Sequence, residues 1–160
     1  MTGTHRVAMG DAAPAFSVEG TDGTPGGHRT HTLAELRGQP VVLAFYPADN
    51  SPVCTVQLAA YSTSMRDFDI AGAHVLGLSP QSIRSHDSFA AAHGGFAFPL
   101  LADRDKTVGA SYGILGPLGF YRRSIFVIDA DGVIRYAHRS VTSLTYQPMG
   151  VIAEEIRKLQ

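Results

Sequence analysis

Apolar and polar positions change their spacing several times along the chain, and each change predicts an element. Val41-Val42-Leu43-Ala44-Phe45-Tyr46 is a continuous apolar run, short, β-branched and aromatic, with no polar face. Such a run predicts a strand buried on both sides. A polar loop bounded by Pro47 and Pro52 follows, and the spacing then becomes helical. Cys54, Leu58, Tyr61, Met65 and Phe68 fall on one i, i+4, i+7 face, predicting a helix that ends around Ala71 to Gly72. A strand feeding a helix through a proline-bounded loop is where α/β proteins place chemistry.

Upstream, residues 1–15 are small and polar and read as a loosely held lead-in. Phe16 to Glu19 and Arg29 to Leu33 flank a Gly/Thr/Asp/Pro-rich segment, Gly20 to Gly27, which predicts an N-terminal β-hairpin. Thr32 with Glu35 has the spacing of a capping box, and Gly38 closes the single helical turn it starts. Downstream, His74 to Ser79 predicts a strand. Ser79 and Pro80 suit the N-cap and first position of a helix running to about His93, which Gly94 terminates. Phe98 to Leu101 reads as a short edge segment, Lys106 to Tyr112 as a short helix, and Gly113 to Gly119 as a loop. Ser124 to Ile128 and Val133 to His138, joined by Asp129-Ala130-Asp131-Gly132, predict an antiparallel hairpin. Met149, Ile152, Ile156 and Leu159 then form one face of an amphipathic helix with Pro148 at its start. The order predicts an α/β fold: a mixed central sheet flanked by helices, thioredoxin-like, with an N-terminal β-hairpin extension. Periodicity alone leaves other small three-layer α/β folds open.

Composition narrows the classes of function. With 160 residues and 44% apolar side chains, the chain suits a single domain over 1–160. Thirteen basic against 14 acidic side chains, without a basic run, give no electrostatic footprint for nucleic acid or an anionic membrane surface. No apolar run approaches the roughly 20 residues needed to span a bilayer. Met1 to Gly20 shows no apolar signal-peptide core, so the expected location is cytoplasmic. Cys54 is the sole cysteine, which excludes an internal disulfide and a thiolate zinc cluster, and Gln57 stands where a C-x-x-C pair would need its second thiol. Any thiol chemistry must therefore be completed by a partner.

Two readings of Cys54 compete. Free cysteine is among the most buried residue types, and Cys54 lies on an apolar helical stripe, so a core role is the plain reading. The loop favours a nucleophile. A thiol, with an ordinary pKa of about 8.5, reacts as thiolate. Ser51 and Pro52 form an N-cap and N1 pair that puts Cys54 in the first helical turn, where free N–H groups and the helix dipole favour negative charge. Ser51 supplies a hydroxyl and Pro47 a rigid apolar wall. Seven histidines invite a metal reading, but His28 and His31 fall in or beside a loop, and His86 and His93 lack a paired carboxylate motif, so no metal or cofactor is expected. Asp49 reads as loop solvation. A Cys-His hydrolase has no local signature, and Gly113 to Gly119 lacks phosphate-loop spacing.

Pro47-Ala48-Asp49-Asn50-Ser51-Pro52-Val53-Cys54 after a buried strand resembles the P-x-x-x-T/S-x-x-C motif of the peroxiredoxins, thiol peroxidases of thioredoxin fold. The resemblance extends over nearly the whole chain, through Leu33 to Gly38, Val75 to Pro80, Phe98 to Asp103 and Arg123 to Asp129. It implies that Cys54 attacks a peroxide oxygen and becomes a sulfenic acid. It further implies that Ser51 hydrogen-bonds the peroxide with help from the Val53 and Cys54 N–H groups, and that Pro47 shields the sulfur. Arg123, three residues before Phe126, then stabilises the thiolate and Gln57 orients that arginine. Arg122 has an equal chemical claim, but strand alternation lets only one of the two reach the site, and Arg122 is read as a solvated surface residue. The chain departs from the family in having serine for threonine, which predicts a modest loss of rate, and in having Ala59 at a common position of a second cysteine. It resembles the one-cysteine type, nearest in body to the bacterioferritin-comigratory or peroxiredoxin Q group. The implied partners are a peroxide and an external reductant, namely thioredoxin, glutaredoxin or a low-molecular-weight thiol, and the implied assembly is a monomer or homodimer. A peroxide-responsive thiol sensor without efficient turnover is the alternative, and an inert structural thiol the weakest reading.

Overall fold

The computed structural model describes residues 7–22, 26–49, 51–63, 72–116, 118–140 and 147–159. Seven strands form one mixed sheet: β1 (Ser17–Thr21), β2 (His28–Thr32), β3 (Val41–Phe45), β4 (His74–Ser79), β5 (Leu100–Ala102), β6 (Ser124–Ile128) and β7 (Ile134–Arg139), in the order β2-β1-β5-β4-β3-β6-β7. β3 runs parallel to β4 and β4 parallel to β5, while β6 lies antiparallel to both β3 and β7. Among the described residues the α-helices are α1 (Pro52–Thr63), α2 (Ile83–Ala92), α3 (Thr107–Ser111) and α4 (Met149–Arg157).

Because side chains alternate along a strand, β3 divides between two cores. Val42, Ala44 and Tyr46 face Cys54, Leu58 and Tyr61 of α1 and Ile152 and Ile156 of α4. Val41, Leu43 and Phe45 face Val108, Tyr112 and Ile114. The register Leu43↔Phe126 and Ala44↔Ile125 carries the division into β6, so Ile125 and Val127 share the α1 side and Phe126 and Ile128 the other. Full burial of each large aliphatic here contributes about 1.5–3 kcal/mol. Two-sided burial is why β3 reads as an unbroken apolar run.

The N-terminal hairpin, the central strand, the β6–β7 hairpin and the amphipathic α4 all lie where the pattern places them. Thr32 and Glu35 close a reciprocal capping box: Thr32 N donates to Glu35 Oε1 at 2.8 Å and Glu35 N to Thr32 Oγ1 at 3.3 Å. α1 carries the expected Cys54, Leu58 and Tyr61 face, whereas Met65 and Phe68 fall outside the described residues.

Four expectations are corrected. The stretch 10–13 is not loosely held: Gly10 N and Ala13 N donate to the Ile134 and Gly132 carbonyls, and Ile134 N donates to Asp11 O. Ser79 does not cap α2; it ends β4, paired with Ala102, and the cap is Ser82, whose hydroxyl accepts from Ser85 N at 3.1 Å. β5 is interior, between β1 and β4, rather than an edge. His28 and His31 belong to β2, and His31 is buried with Nε2 donating to the Thr21 carbonyl at 2.8 Å.

Candidate active site

The buried strand β3 delivers the chain into the Pro47 loop, and Ser51 turns it into α1. Thr55 N donates to Ser51 O at 2.9 Å, the first helical bond, and Cys54 N donates to Ser51 Oγ at 3.3 Å, the side-chain bond of an N-cap. Ser51 therefore fixes the turn that holds Cys54, and its own O–H proton points elsewhere. Cys54 is 0% exposed, on the α1 stripe and in the core shared with Tyr46, Leu58 and Ile125. Cys54 is thus core-like in burial and at the same time sits in a first helical turn.

Arg123 reaches this turn from just before β6. Odd-numbered positions of β6 face α1, so Arg123 joins Ile125 and Val127 on that side. Its Nη2 donates to Cys54 Sγ at 3.1 Å and its Nη1 to Gln57 Oε1 at 2.6 Å. Arg123 is 2% exposed and Gln57 0%. A buried guanidinium is held only where its donors are satisfied, and Gln57, one turn after Cys54 on the same helix, satisfies one of them. Gln57 Nε2 in turn donates to Tyr61 OH at 3.2 Å, and Tyr61 OH donates to Gln147 O at 2.7 Å, so the brace extends to the segment before α4. Arg122 is half-buried beside Gly116, not freely solvated, and its N–H donates to Ile114 O at 2.7 Å. Pro47 is half-buried at the end of β3.

Asp49 corrects the sequence reading. It is 8% exposed, and its carboxylate accepts from Tyr46 OH at 2.7 Å and Ser85 Oγ at 2.6 Å and lies 2.8 Å from His86 Nδ1. Burial first, and the Asp49 carboxylate second, hold the Tyr46 phenol well above the ordinary tyrosine range, so it remains a donor. His86 and Ser85 lie far along the chain on α2. The local signal for part of this cluster was Tyr46 with Asp49, a phenol and a carboxylate three residues apart across a tight loop.

A cationic guanidinium on a sulfur at a helix start, supported from behind by an amide, stabilises a thiolate and the charge that develops on an attacked oxygen. The architecture is that of solved structures in the same class. Mycobacterium tuberculosis AhpC superposes with a TM-score of 0.88 at 25% identity, covering 97% of this chain and 94% of that one, and Mycobacterium bovis AhpC with 0.84 at 26% identity, covering 97% and 92%. Fold and relatives define a thiol-dependent peroxidase of thioredoxin-like fold. A rice peroxiredoxin Q (Oryza sativa subsp. japonica, chloroplastic) is 34% identical over 157 residues, covering 97% of this chain and 68% of that protein. A Mycobacterium tuberculosis protein with a provisional peroxiredoxin name is 38% identical over 148 residues, covering 88% and 90%. The AhpC/TSA family model matches residues 9–137, and the chain belongs to that family.

Proposed function

We propose that Cys54 is the peroxidatic thiol, with Arg123, Ser51, Gln57 and Pro47 as its supporting groups. The contact that carries the reading is Arg123 Nη2 to Cys54 Sγ at 3.1 Å. The Cys54 thiolate attacks one oxygen of a hydroperoxide, the S–O bond forms as the O–O bond breaks, and the leaving oxygen departs as water or alcohol after taking a proton. Cys54 is left as sulfenic acid. Arg123 stabilises sulfur before attack and oxygen during it. Ser51, whose oxygen accepts from Cys54 N, carries an O–H of its own that donates to the substrate. The Val53 N–H lies in the first turn, among the groups a helix leaves unpaired.

An external thiol then condenses with the sulfenic acid, releasing water, and a second thiol resolves the mixed disulfide. With Cys54 the sole cysteine of the sequence, we take both thiols to come from the reductant, a thioredoxin, a glutaredoxin or a low-molecular-weight thiol. We assign the chain a monomeric or homodimeric working form.

Stopped-flow oxidation with hydrogen peroxide, followed by dimedone trapping and peptide mapping, tests the assignment. Reaction is expected to far outrun free cysteine, with the adduct on Cys54 and no peroxide consumption by Cys54→Ser. A thiol no faster than free cysteine refutes it. Steady-state turnover across the three donor classes identifies the reductant, and oxidation without turnover from any of them would favour the sensor.

A further inference from the structure

Behind the Cys54 loop, one carboxylate gathers groups from two other elements. Asp49 Oδ1 accepts from Tyr46 OH, which follows β3; Asp49 Oδ2 accepts from Ser85 Oγ and lies 2.8 Å from His86 Nδ1, both on α2. The far side of the imidazole meets β5, with His86 Nε2 at 3.0 Å from Leu101 O. The side chains of His86 and Asp49 are 0% and 1% exposed, so water does not contribute.

These contacts count protons. A carbonyl has none to give, so Nε2 carries a hydrogen and donates to Leu101 O. A neutral imidazole that donates through Nε2 presents a bare lone pair at Nδ1. A lone pair and a carboxylate oxygen do not sit at hydrogen-bonding distance in a dry interior, so one proton lies between Nδ1 and Oδ2. Whether it rests nearer nitrogen or oxygen, the pair as a whole is neutral.

That neutrality matters because Asp49 belongs to the loop that carries Ser51 and leads into Cys54. Tyr46 joins the two places: it donates to Asp49, packs in the same core as Cys54, and its phenol is influenced by both. A bare carboxylate there would oppose the negative sulfur that Arg123 stabilises. We propose that Asp49 and His86 form a positioning pair, in which His86 supplies the proton that cancels the Asp49 charge in the loop leading to the reactive thiol while Asp49 ties that loop to α2 and β5. The proposal rests on Cys54 as the peroxidatic thiol.

The test is a double-mutant cycle read by the second-order rate constant with hydrogen peroxide, with thermal melts alongside. His86→Gln removes the ring that shares the proton with Asp49 and is expected to slow Cys54 oxidation about tenfold or more, as when one member of a buried charged pair is removed. Asp49→Asn keeps the shape, donates to a neutral Nδ1 and accepts from Tyr46, and is expected to cost about threefold, the modest loss of a neutral hydrogen-bond replacement. Adding Asp49→Asn to His86→Gln is expected to recover most of the lost rate, a sign reversal that packing loss does not produce. A double variant as slow as His86→Gln, or Asp49→Asn as damaging as His86→Gln, overturns the proposal. Independently of any variant, NMR of the wild-type His86 ring nitrogens and Asp49 carboxyl at pH 7 is expected to find the shared proton. A bare Nδ1 against an ionised carboxylate overturns it. A sluggish wild-type thiol would refute the Cys54 assignment instead, and the NMR result would still judge the pair.

Discussion

At Arg123 a single planar group meets two acceptors at once, sulfur through one nitrogen and the Gln57 amide oxygen through the other. Lysine keeps the charge but not the fork, so Arg123→Lys is expected to lower the peroxide rate constant by about 100-fold, the scale of losing a transition-state donor. Stopped-flow oxidation of Cys54 reads this directly, with a circular dichroism spectrum as the fold control. Ser51→Ala removes the oxygen that accepts from Cys54 N and is expected to cost about 1 kcal/mol in denaturant unfolding, the usual worth of an N-cap. Ser51 and Cys54 were legible in the sequence because one loop and one helical turn bring them together, while Gln57 was supplied by the family resemblance. Arg123 needed more: the motif resemblance chose it, and strand alternation said only that one of Arg122 and Arg123 could reach the site. The Asp49–His86 contact was not legible, because 37 residues separate the partners and Ser85 and His86 are placed by a cap that the sequence puts at the wrong serine.

The elements show where local pattern stops informing. Ser79-Pro80-Gln81-Ser82 holds two serines able to start a helix; β4 extends far enough to pair Ser79 with Ala102, which leaves the cap to Ser82. β5 has three residues, too few for alternation to show that both its neighbours are strands. β3, by contrast, was unmistakable, because a fully buried central strand has no polar face to disguise it. The β1–β5 junction gives a prediction at this scale. These strands share one registered pair, Gly20↔Leu101, and a Cβ at Gly20 would lie 2.7 Å from the Leu100 carbonyl oxygen. Backbone cannot swing aside as a side chain can, so Gly20→Ala is expected to cost about 1–3 kcal/mol in denaturant unfolding.

Across the whole molecule, the N-terminal hairpin responds to pH through His31. Burial lowers the pKa of this imidazole, with the Thr21 carbonyl bond opposing and the Arg29 charge assisting. The unfolded chain takes up a proton near pH 6.5 while the folded chain resists, so His31 contributes stability above about pH 6.5 that erodes as pH falls toward the lower folded value. Urea midpoints measured between pH 7.5 and 5 are expected to drop more in the wild type than in His31→Asn. An equal drop in both would assign the acid sensitivity to other groups.

The closed sulfur has a consequence for how the enzyme divides its time. A reductant's sulfur must approach Cys54 in line and close, which a 0% exposed sulfur does not permit. With Cys54 as the proposed peroxidatic thiol, reduction is therefore expected to need the first turn of α1 to open. On that reading the Ser51 cap is expected to act as a timer: a tighter cap would prolong the life of a Cys54 sulfenic acid, and with it the interval in which a second peroxide converts that sulfur to the sulfinic form that thiols do not repair.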